Sequence, residues 1–338
     1  MQKVASAALA SPPPDPDLLA AALARVLGPG LRVEGLRRVS GGASRETWLF
    51  EALSPGGARH GLVLRRDPGA HGGASERATE YALIVATAAA GVAVPRPVLL
   101  LEVADGLGNG FVMDRIEGET IPRRILRDAE FEAARPLLAS QCGTIAAAIH
   151  ATDTASLPEL PVLGATAQLD QYRLLLDTLG EPHPALELGL RWLAERLPPD
   201  PAAPRLVHGD FRNGNLVVGP DGVRAVLDWE LSHLGDPVED LGWLCVRSWR
   251  FGVDDHVVGG FGHLDALLDA YRAAGGDAPD PEVVRFWMIF GTLKWGAITV
   301  LQAFAHLQGA VRSVELATLG RRVVEMEWDL LDALDGRW

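Results

Sequence analysis

The amino-acid sequence predicts an α+β protein in two parts, a small β-rich N-terminal part followed by a larger helical one. Three observations carry that expectation. Between Leu31 and Asp114, short β-prone runs alternate with glycine-rich turns. After Gly118 the apolar residues recur at helical spacing almost to the C-terminus. The 338 residues, 48% of them hydrophobic, are enough for two compact cores and exclude a disordered or fibrous chain.

The elements follow in order. Residues 1–16 combine one lysine, a brief alanine-rich run and the prolines of PPP, which predicts a disordered leader rather than a secretory signal. Asp17–Gly28 reads as a short amphipathic helix stopped by Gly28-Pro29-Gly30. Strands are expected at Leu31–Arg38, Glu46–Leu53, Leu62–Arg66, Val98–Ala104 and Gly110–Asp114, with one helix from Ser75 to about Ala90. The N-terminal part spans residues 17–113, a hinge spans 114–118, and residues 119–338 form the helical part. Within it, helices are expected at Ala129–Ala151, Gln168–Leu179, Ala185–Leu197, Pro237–Arg250, Leu264–Ala274, Pro281–Gln308 and Val311–Leu334. One β-hairpin, Leu216–Val218 with Arg224–Leu227, interrupts them.

Charge and cysteine content narrow the function. Lys and Arg number 31 against 44 Asp and Glu, a net charge of −13, so nucleic acid and anionic membrane surfaces are not expected partners. Cys142 and Cys245 are too few for a disulfide framework or a cysteine-rich zinc site, which makes the cytoplasm the expected compartment. The stretch Phe286–Ala310 comes nearest to a membrane span, but Lys294 in its middle predicts a long buried helix instead.

The informative segment begins at Leu206: LVHGDFRNGNLVVGPDGVRAVLDWELSHLGDPVEDLGWL. An apolar pair leads into a polar loop with His208, Asp210, Asn213 and Asn215, and Asp228 lies just past the second strand of the hairpin. Pairing across the turn puts Asn215 and Asp228 nearly opposite each other, with Asp210 at the mouth of the same ribbon. Three oxygen-bearing side chains at one end of a hairpin suit Mg²⁺, which binds through a few carboxylates plus substrate phosphates. Phosphoryl transfer needs such a metal and a carboxylate to orient the attacking hydroxyl.

His208-Gly209-Asp210, Asn215 five residues on, and then Asp228 resemble the H-G-D-x-x-x-x-N…D pattern of the aminoglycoside phosphotransferase/choline kinase family, which has the two-lobed protein-kinase-like fold. The resemblance spans nearly the whole chain. It implies Asp210 as catalytic base, Asn215 and Asp228 as Mg²⁺ ligands, and His208 as the brace of the catalytic loop. It further implies ATP as phosphoryl donor and a small-molecule hydroxyl as acceptor. The turn Ser40-Gly41-Gly42-Ala43-Ser44 would cover the nucleotide, with Gly41, Gly42 and Ser44 near its phosphates; read alone it is a glycine turn between strands. Arg65 stands where the family has a phosphate-pairing lysine, and a guanidinium keeps the charge in a wider shape. Glu80 is its expected ion-pair partner and Glu76 the second choice. Met113 would lie at the hinge beside the adenine, or simply fill the core.

Other residues read less sharply. Asp236, Pro237 and Glu239 fit a helix start with a reciprocal cap, and Asp240 would brace the loop as in the family. Trp243, Trp249, Trp287 and Trp295 are expected in the core, with an aromatic pocket for a quaternary ammonium as the alternative. His150 is expected to be packed or capping. Arg123, Arg124 and Arg127 would form a solvated face or meet an anionic substrate. Two other functions share the motif: a nucleotide-binding pseudokinase module, and a Mg²⁺-dependent phosphohydrolase acting on water. For the acceptor, an amino sugar, a choline-like compound and a hydroxyacyl thioester stand level, the last because segments such as MDRIEGETIPRR and HGDFRNGN resemble the kinase-like parts of some acyl-CoA dehydrogenase fusions.

Overall fold

A computed structural model describes residues 12–39, 46–67, 74–311 and 313–337. The chain divides into two compact units, Met1–Val85 with Pro95–Arg115, and Ala86–Val94 with Ile116–Trp338. The architecture is α+β, with a small antiparallel sheet in the first unit and helices dominating the second.

In the first unit, α1 (Pro16–Leu27) starts where Asp15 accepts the backbone N–H groups of Asp17 and Leu18. The expected leader before it lies mostly outside the described residues. Strands β1 (Arg32–Val39), β2 (Glu46–Leu53), β3 (Arg59–Asp67), β4 (Pro97–Leu100) and β5 (Asn109–Asp114) form one sheet in the order β1-β2-β3-β5-β4, every neighbour antiparallel. Alternate residues of β2 are buried, so Trp48, Phe50 and Ala52 join Leu19 and Leu23 of α1 in one apolar cluster. The strand expected at Val98–Ala104 is shorter. It gives way to a 3₁₀ turn at Val103–Asp105, where Asp105 accepts the Glu102 N–H and pairs with Arg25 of α1. Helix α2 spans Ala74–Ala89, and from Ala86 onward it belongs to the second unit.

The second unit holds α3 (Pro122–Arg127), α4 (Arg135–His150), α5 (Ala165–Leu179), α6 (Pro184–Ala194), α7 (Val238–Leu244), α8 (Leu264–Ala273), α9 (Pro281–Leu307), α10 (Val314–Gly320) and α11 (Val323–Leu334). Helix α9 is long and apolar enough to cross a membrane, yet most of its central residues are buried within this unit, and α5, α6, α7, α10 and α11 pack on it. Several expected helices are shorter or broken. The Ala129–Ala151 helix starts only at Arg135, because Pro136 can sit only in a first turn. The Pro237–Arg250 helix ends at Leu244, where the Arg250 guanidinium donates to the Cys245 carbonyl. The Val311–Leu334 helix divides into α10 and α11.

Two small β elements carry the motif residues. The expected hairpin forms with a tighter turn: β6 (Leu216–Gly219) pairs with β7 (Gly222–Val226) up to Gly219 and Gly222, which leaves only Pro220-Asp221 at the tip. A second pair was not expected: β8 (Arg205–Val207) and β9 (His233–Gly235) bracket the hairpin as an antiparallel ladder. Glu119 pairs with Val218 of β6 through both backbone hydrogen bonds, and a Cβ on the preceding Gly118 would meet Val218 O at 2.8 Å.

Candidate active site

The loop between β8 and β6 is held by its own backbone amides. The N–H groups of His208 and Gly209 donate to Asp240 Oδ2 and Oδ1 at 2.8 and 3.0 Å. Gly209 has φ +78°, and a Cβ there would lie 2.3 Å from the Leu231 carbonyl, so no other residue fits. His150 closes the far side of Asp240: its Nε2–H donates to Oδ2 at 3.1 Å, while its Nδ1 accepts the Tyr271 hydroxyl at 2.9 Å. Burial alone would push Asp240 up, but His150 and the loop amides outweigh it and hold the carboxyl below its ordinary range.

His208 ties the loop to the hairpin. Its Nδ1 accepts the Asp210 N–H at 3.1 Å and its Nε2–H donates to Leu227 O at 3.1 Å. An amide can only donate and a carbonyl only accept, so these partners select the neutral Nε2–H tautomer. Burial agrees, lowering the His208 pKa against the pull of Asp240, Asp210 and Asp228. The ring lies 4.6 Å from Trp229, centroid to centroid. His208 is therefore a brace, buried completely.

The Asp210 carboxylate meets three donors. Asn215 Nδ2 donates to Oδ2 at 2.6 Å, and Arg212 Nε and Trp243 Nε1 each donate to Oδ1 at 2.9 Å. The Leu227 N–H donates to the Asn215 carbonyl at 2.8 Å, so Asp228 is the residue just past the rung that holds Asn215. Asp228 has φ +70°, a left-handed conformation that turns the chain out of the strand and that aspartate tolerates better than most residues.

Lys294 and Glu239 form a buried ionic cluster against the loop, whose partners the sequence analysis did not identify. Lys294, in the middle of α9, donates to the Gly209 carbonyl at 2.9 Å and to Glu239 Oε1 at 3.2 Å. Its ammonium sits 4.6 Å from the Trp243 ring. Glu239 also receives His233 Nε2–H at 3.1 Å and the Gln168 amide. The reciprocal cap expected of Glu239 is thus corrected: Asp236 does accept the Val238 N–H, but the Glu239 side chain turns inward. Burial works against the charges of both Lys294 and Glu239. Their mutual attraction outweighs it, leaving Lys294 raised and Glu239 lowered. A lysine inside an apolar helix must find a buried counter-charge, and this was the signal available in the sequence.

The tryptophans are core residues. Trp243 meets Trp249 edge-to-face at 5.2 Å, and Trp249 meets Trp295 at a tilt at 5.0 Å. The protein's own cations take two of the faces, Lys294 on Trp243 and Arg212 on Trp249 at 4.5 Å, so the alternative of a quaternary-ammonium pocket finds no support in these faces. Trp287 donates to Asp236 at 2.7 Å. The two cysteines are buried and unpaired, and burial pushes the Cys245 thiol up to about 12.

In the first unit, Arg65 forms an ion pair with Glu80 at 2.8 Å, and Arg77 joins Glu80 to Asp67. Arg77 was missed in the sequence because it reads as one more polar residue of α2. Met113 is buried in β5, its backbone paired with Val63 and Pro97. Gly41, Gly42 and Ser44 lie outside the described residues.

Among the described residues no group of three His, Cys, Asp or Glu side chains could hold a metal. What the loop and hairpin offer is one carboxylate at Asp228 and one amide at Asn215, beside Asp210. That oxygen set is too small for a closed protein cage but suits Mg²⁺, which keeps waters and takes its remaining ligands from phosphates. The arrangement can therefore hold a hard cation at the hairpin end and present a fixed carboxylate to a substrate proton.

A family model described as "Phosphotransferase enzyme family" matches residues 35–287. Among curated proteins, the chain is 34% identical over 225 residues to acyl-CoA dehydrogenase family member 11 of Gallus gallus, covering 62% of this chain and 27% of that protein. It is 33% identical over 208 residues to family member 10 of Mus musculus, covering 56% and 18%. The chain thus spans about a quarter or less of these relatives. Among solved structures, a candidate aminoglycoside phosphotransferase from Ralstonia eutropha has a TM-score of 0.72 at 24% identity, covering 94% of this chain and 98% of that one. A spectinomycin phosphotransferase bound to ADP and spectinomycin has 0.66 at 14%, covering 95% and 99%. A choline/ethanolamine kinase family protein from Mesorhizobium loti has 0.61 at 20%, covering 94% of each. These likenesses establish a shared, protein-kinase-like fold.

Proposed function

The chain belongs to the phosphotransferase enzyme family, and on that footing we propose that it transfers the γ-phosphoryl group of ATP to a hydroxyl of a small molecule, with Mg²⁺ held by Asn215 and Asp228. The observation that carries this reading is the Asp210 carboxylate, fixed by three donors at the mouth of the hairpin that bears both candidate metal ligands. Asp210 aligns the acceptor hydroxyl and takes its proton. Asn215 orients Asp210 through its amide nitrogen, which leaves its carbonyl oxygen for the cation. When bound, Mg²⁺ supplies neutralisation of the phosphate charge. Arg65, held by Glu80, binds the nucleotide phosphates in place of the usual lysine. A spectinomycin phosphotransferase of the same fold has been crystallised with ADP, in keeping with a nucleotide donor.

For the acceptor, one feature favours an anionic compound such as a hydroxyacyl thioester. A groove of about 1150 Å³ in the second unit has Phe251 and Trp328 as apolar wall and is lined by Arg123 and Arg127, and by Asp254, Asp329 and Glu325, which are paired with Arg247 and Arg322. Arg124 is taken by Glu119, whereas Arg123 and Arg127 form no ion pair among the described residues. Ser248 of the same lining adjoins Trp249, on which Arg212 stacks.

The test is ADP formation from Mg-ATP across a panel of hydroxyacyl thioesters, amino sugars and choline, with products identified by mass spectrometry. Acceptor-dependent ADP and a phosphorylated acceptor support the proposal. Phosphate release that no acceptor changes would make the protein a phosphohydrolase, and nucleotide binding without turnover would make it a pseudokinase.

A further inference from the structure

Arg212 pairs with Asp210, the proposed base, and the motif did not call for it. Its Nε spends one donor on Asp210 Oδ1 at 2.9 Å. Its guanidinium lies on the Trp249 ring at 4.5 Å, which fixes the plane. A Cβ at Gly214 would come within 2.6 Å of Nη1, so the glycine leaves room for the group. Trp249 is itself held by Trp243 and Trp295. The side chain is 24% exposed, and neither Nη has a hydrogen-bond partner among the described residues. A cation that only oriented Asp210 would not need such a cradle, because Asn215 and Trp243 already hold that carboxylate from both oxygens. An immobilised guanidinium with unused donors beside a base is instead built to receive an anion there.

We propose that Arg212 is a second catalytic side chain: while its Nε holds Asp210, its Nη groups donate to the oxygens of the phosphoryl group in flight. The inference rests on the phosphotransferase reading above. In the step concerned, the acceptor oxygen forms a bond to the γ-phosphorus as the bond to the β–γ bridging oxygen breaks. The electron pair leaves with the nucleoside diphosphate, and the hydroxyl proton passes to Asp210. In the loose, metaphosphate-like transition state the charge is spread over three coplanar oxygens, a geometry that a fixed guanidinium fork meets better than it meets the ground-state phosphate. Arg212 therefore contributes to the transition state and little to nucleotide binding.

The experiment compares binding of Mg-ADP alone with Mg-ADP plus aluminium fluoride, a mimic of the planar phosphoryl group, by calorimetry on the full chain. Wild-type protein should bind the fluoride complex at least about 100-fold tighter than ADP, as transition-state mimics do. Arg212→Met should lose that gain, with ADP affinity changed less than about threefold, and Arg212→Lys, which keeps the charge but not the fork, should recover part of it. Thermal melts establish that both variants are folded; if Arg212→Met is not, Arg212→Lys carries the test through a reduced gain. A variant that keeps the full fluoride gain overturns the role of Arg212 and leaves the phosphotransferase reading standing. So does a parallel loss of ADP and fluoride-complex affinity, which marks a structural residue. Wild-type protein that binds no Mg-ADP overturns the phosphotransferase reading, and this inference falls with it.

Discussion

The role proposed for Asp210 depends on neighbours that leave its carboxylate one orientation. Removing its charge by Asp210→Asn keeps the shape and most of the hydrogen bonds, so phosphotransfer should fall by about 100- to 10,000-fold, the usual contribution of a positioned base. Mg-ATP affinity should change little, which calorimetry on the same variant checks; joint loss of binding and turnover would place Asp210 among the metal ligands. Asp240 has a different task. It receives the N–H groups of His208 and Gly209 and the His150 imidazole, all in the interior. Asp240→Ala strands three buried donors at about 1–3 kcal/mol each, so the unfolding free energy should drop by at least about 3 kcal/mol in a urea titration.

At the scale of elements, α9 and the β8–β9 ladder meet in the ionic cluster behind the loop. Lys294→Met leaves Glu239 buried without its strongest partner, and the expected cost is about 3–5 kcal/mol, read from the urea midpoint. The same cluster makes stability depend on pH. His233 Nδ1 faces the Leu231 carbonyl and Nε2 faces the Glu239 carboxylate, so both nitrogens must donate and the ring is the imidazolium. Burial alone would lower its pKa, but Glu239 and the Leu231 carbonyl outweigh burial and raise it above the ordinary 6.5. A raised folded-state value means stabilisation that is complete below the unfolded pKa and is lost as pH rises through the folded one. Unfolding free energy should therefore decline from pH 6.5 upward, and His233→Gln should flatten that decline. His208 acts in the opposite sense. With its folded value lowered, its contribution is complete above 6.5 and is lost as pH falls, so the two histidines separate into different pH windows.

For the molecule as a whole, nucleotide binding is a stability statement. A ligand that binds only the folded chain adds about 2.7 kcal/mol at 100 times its Kd. Mg-ATP should accordingly raise the melting temperature by several degrees, and chelating the metal should remove most of the rise. An unchanged melting temperature would argue against a nucleotide site. Much of the architecture was legible in advance, because a strand such as Glu46–Leu53 or a helix such as Pro281–Leu307 announces itself through a local apolar period that burial then reproduces. The H-G-D-x-x-x-x-N…D spacing was legible for the same reason: loop, hairpin and turn lie within 23 consecutive residues, 206–228, and local geometry brings them together. What pairs over long distances was not legible. The three-residue strands Arg205–Val207 and His233–Gly235 are too short to show a period, and each is stable only against the other. Arg212 on Trp249, Trp243 on Asp210, and Lys294 between Gly209 and Glu239 are unions of residues up to 85 positions apart. The class of fold could be read from the chain alone, as could the closeness of Asp210, Asn215 and Asp228 along one loop and hairpin, because periodicity and spacing are properties of neighbours along the chain. Tertiary structure alone decided which buried charges face one another, because a buried charge is tolerable only beside a partner and that partner is chosen by packing in space.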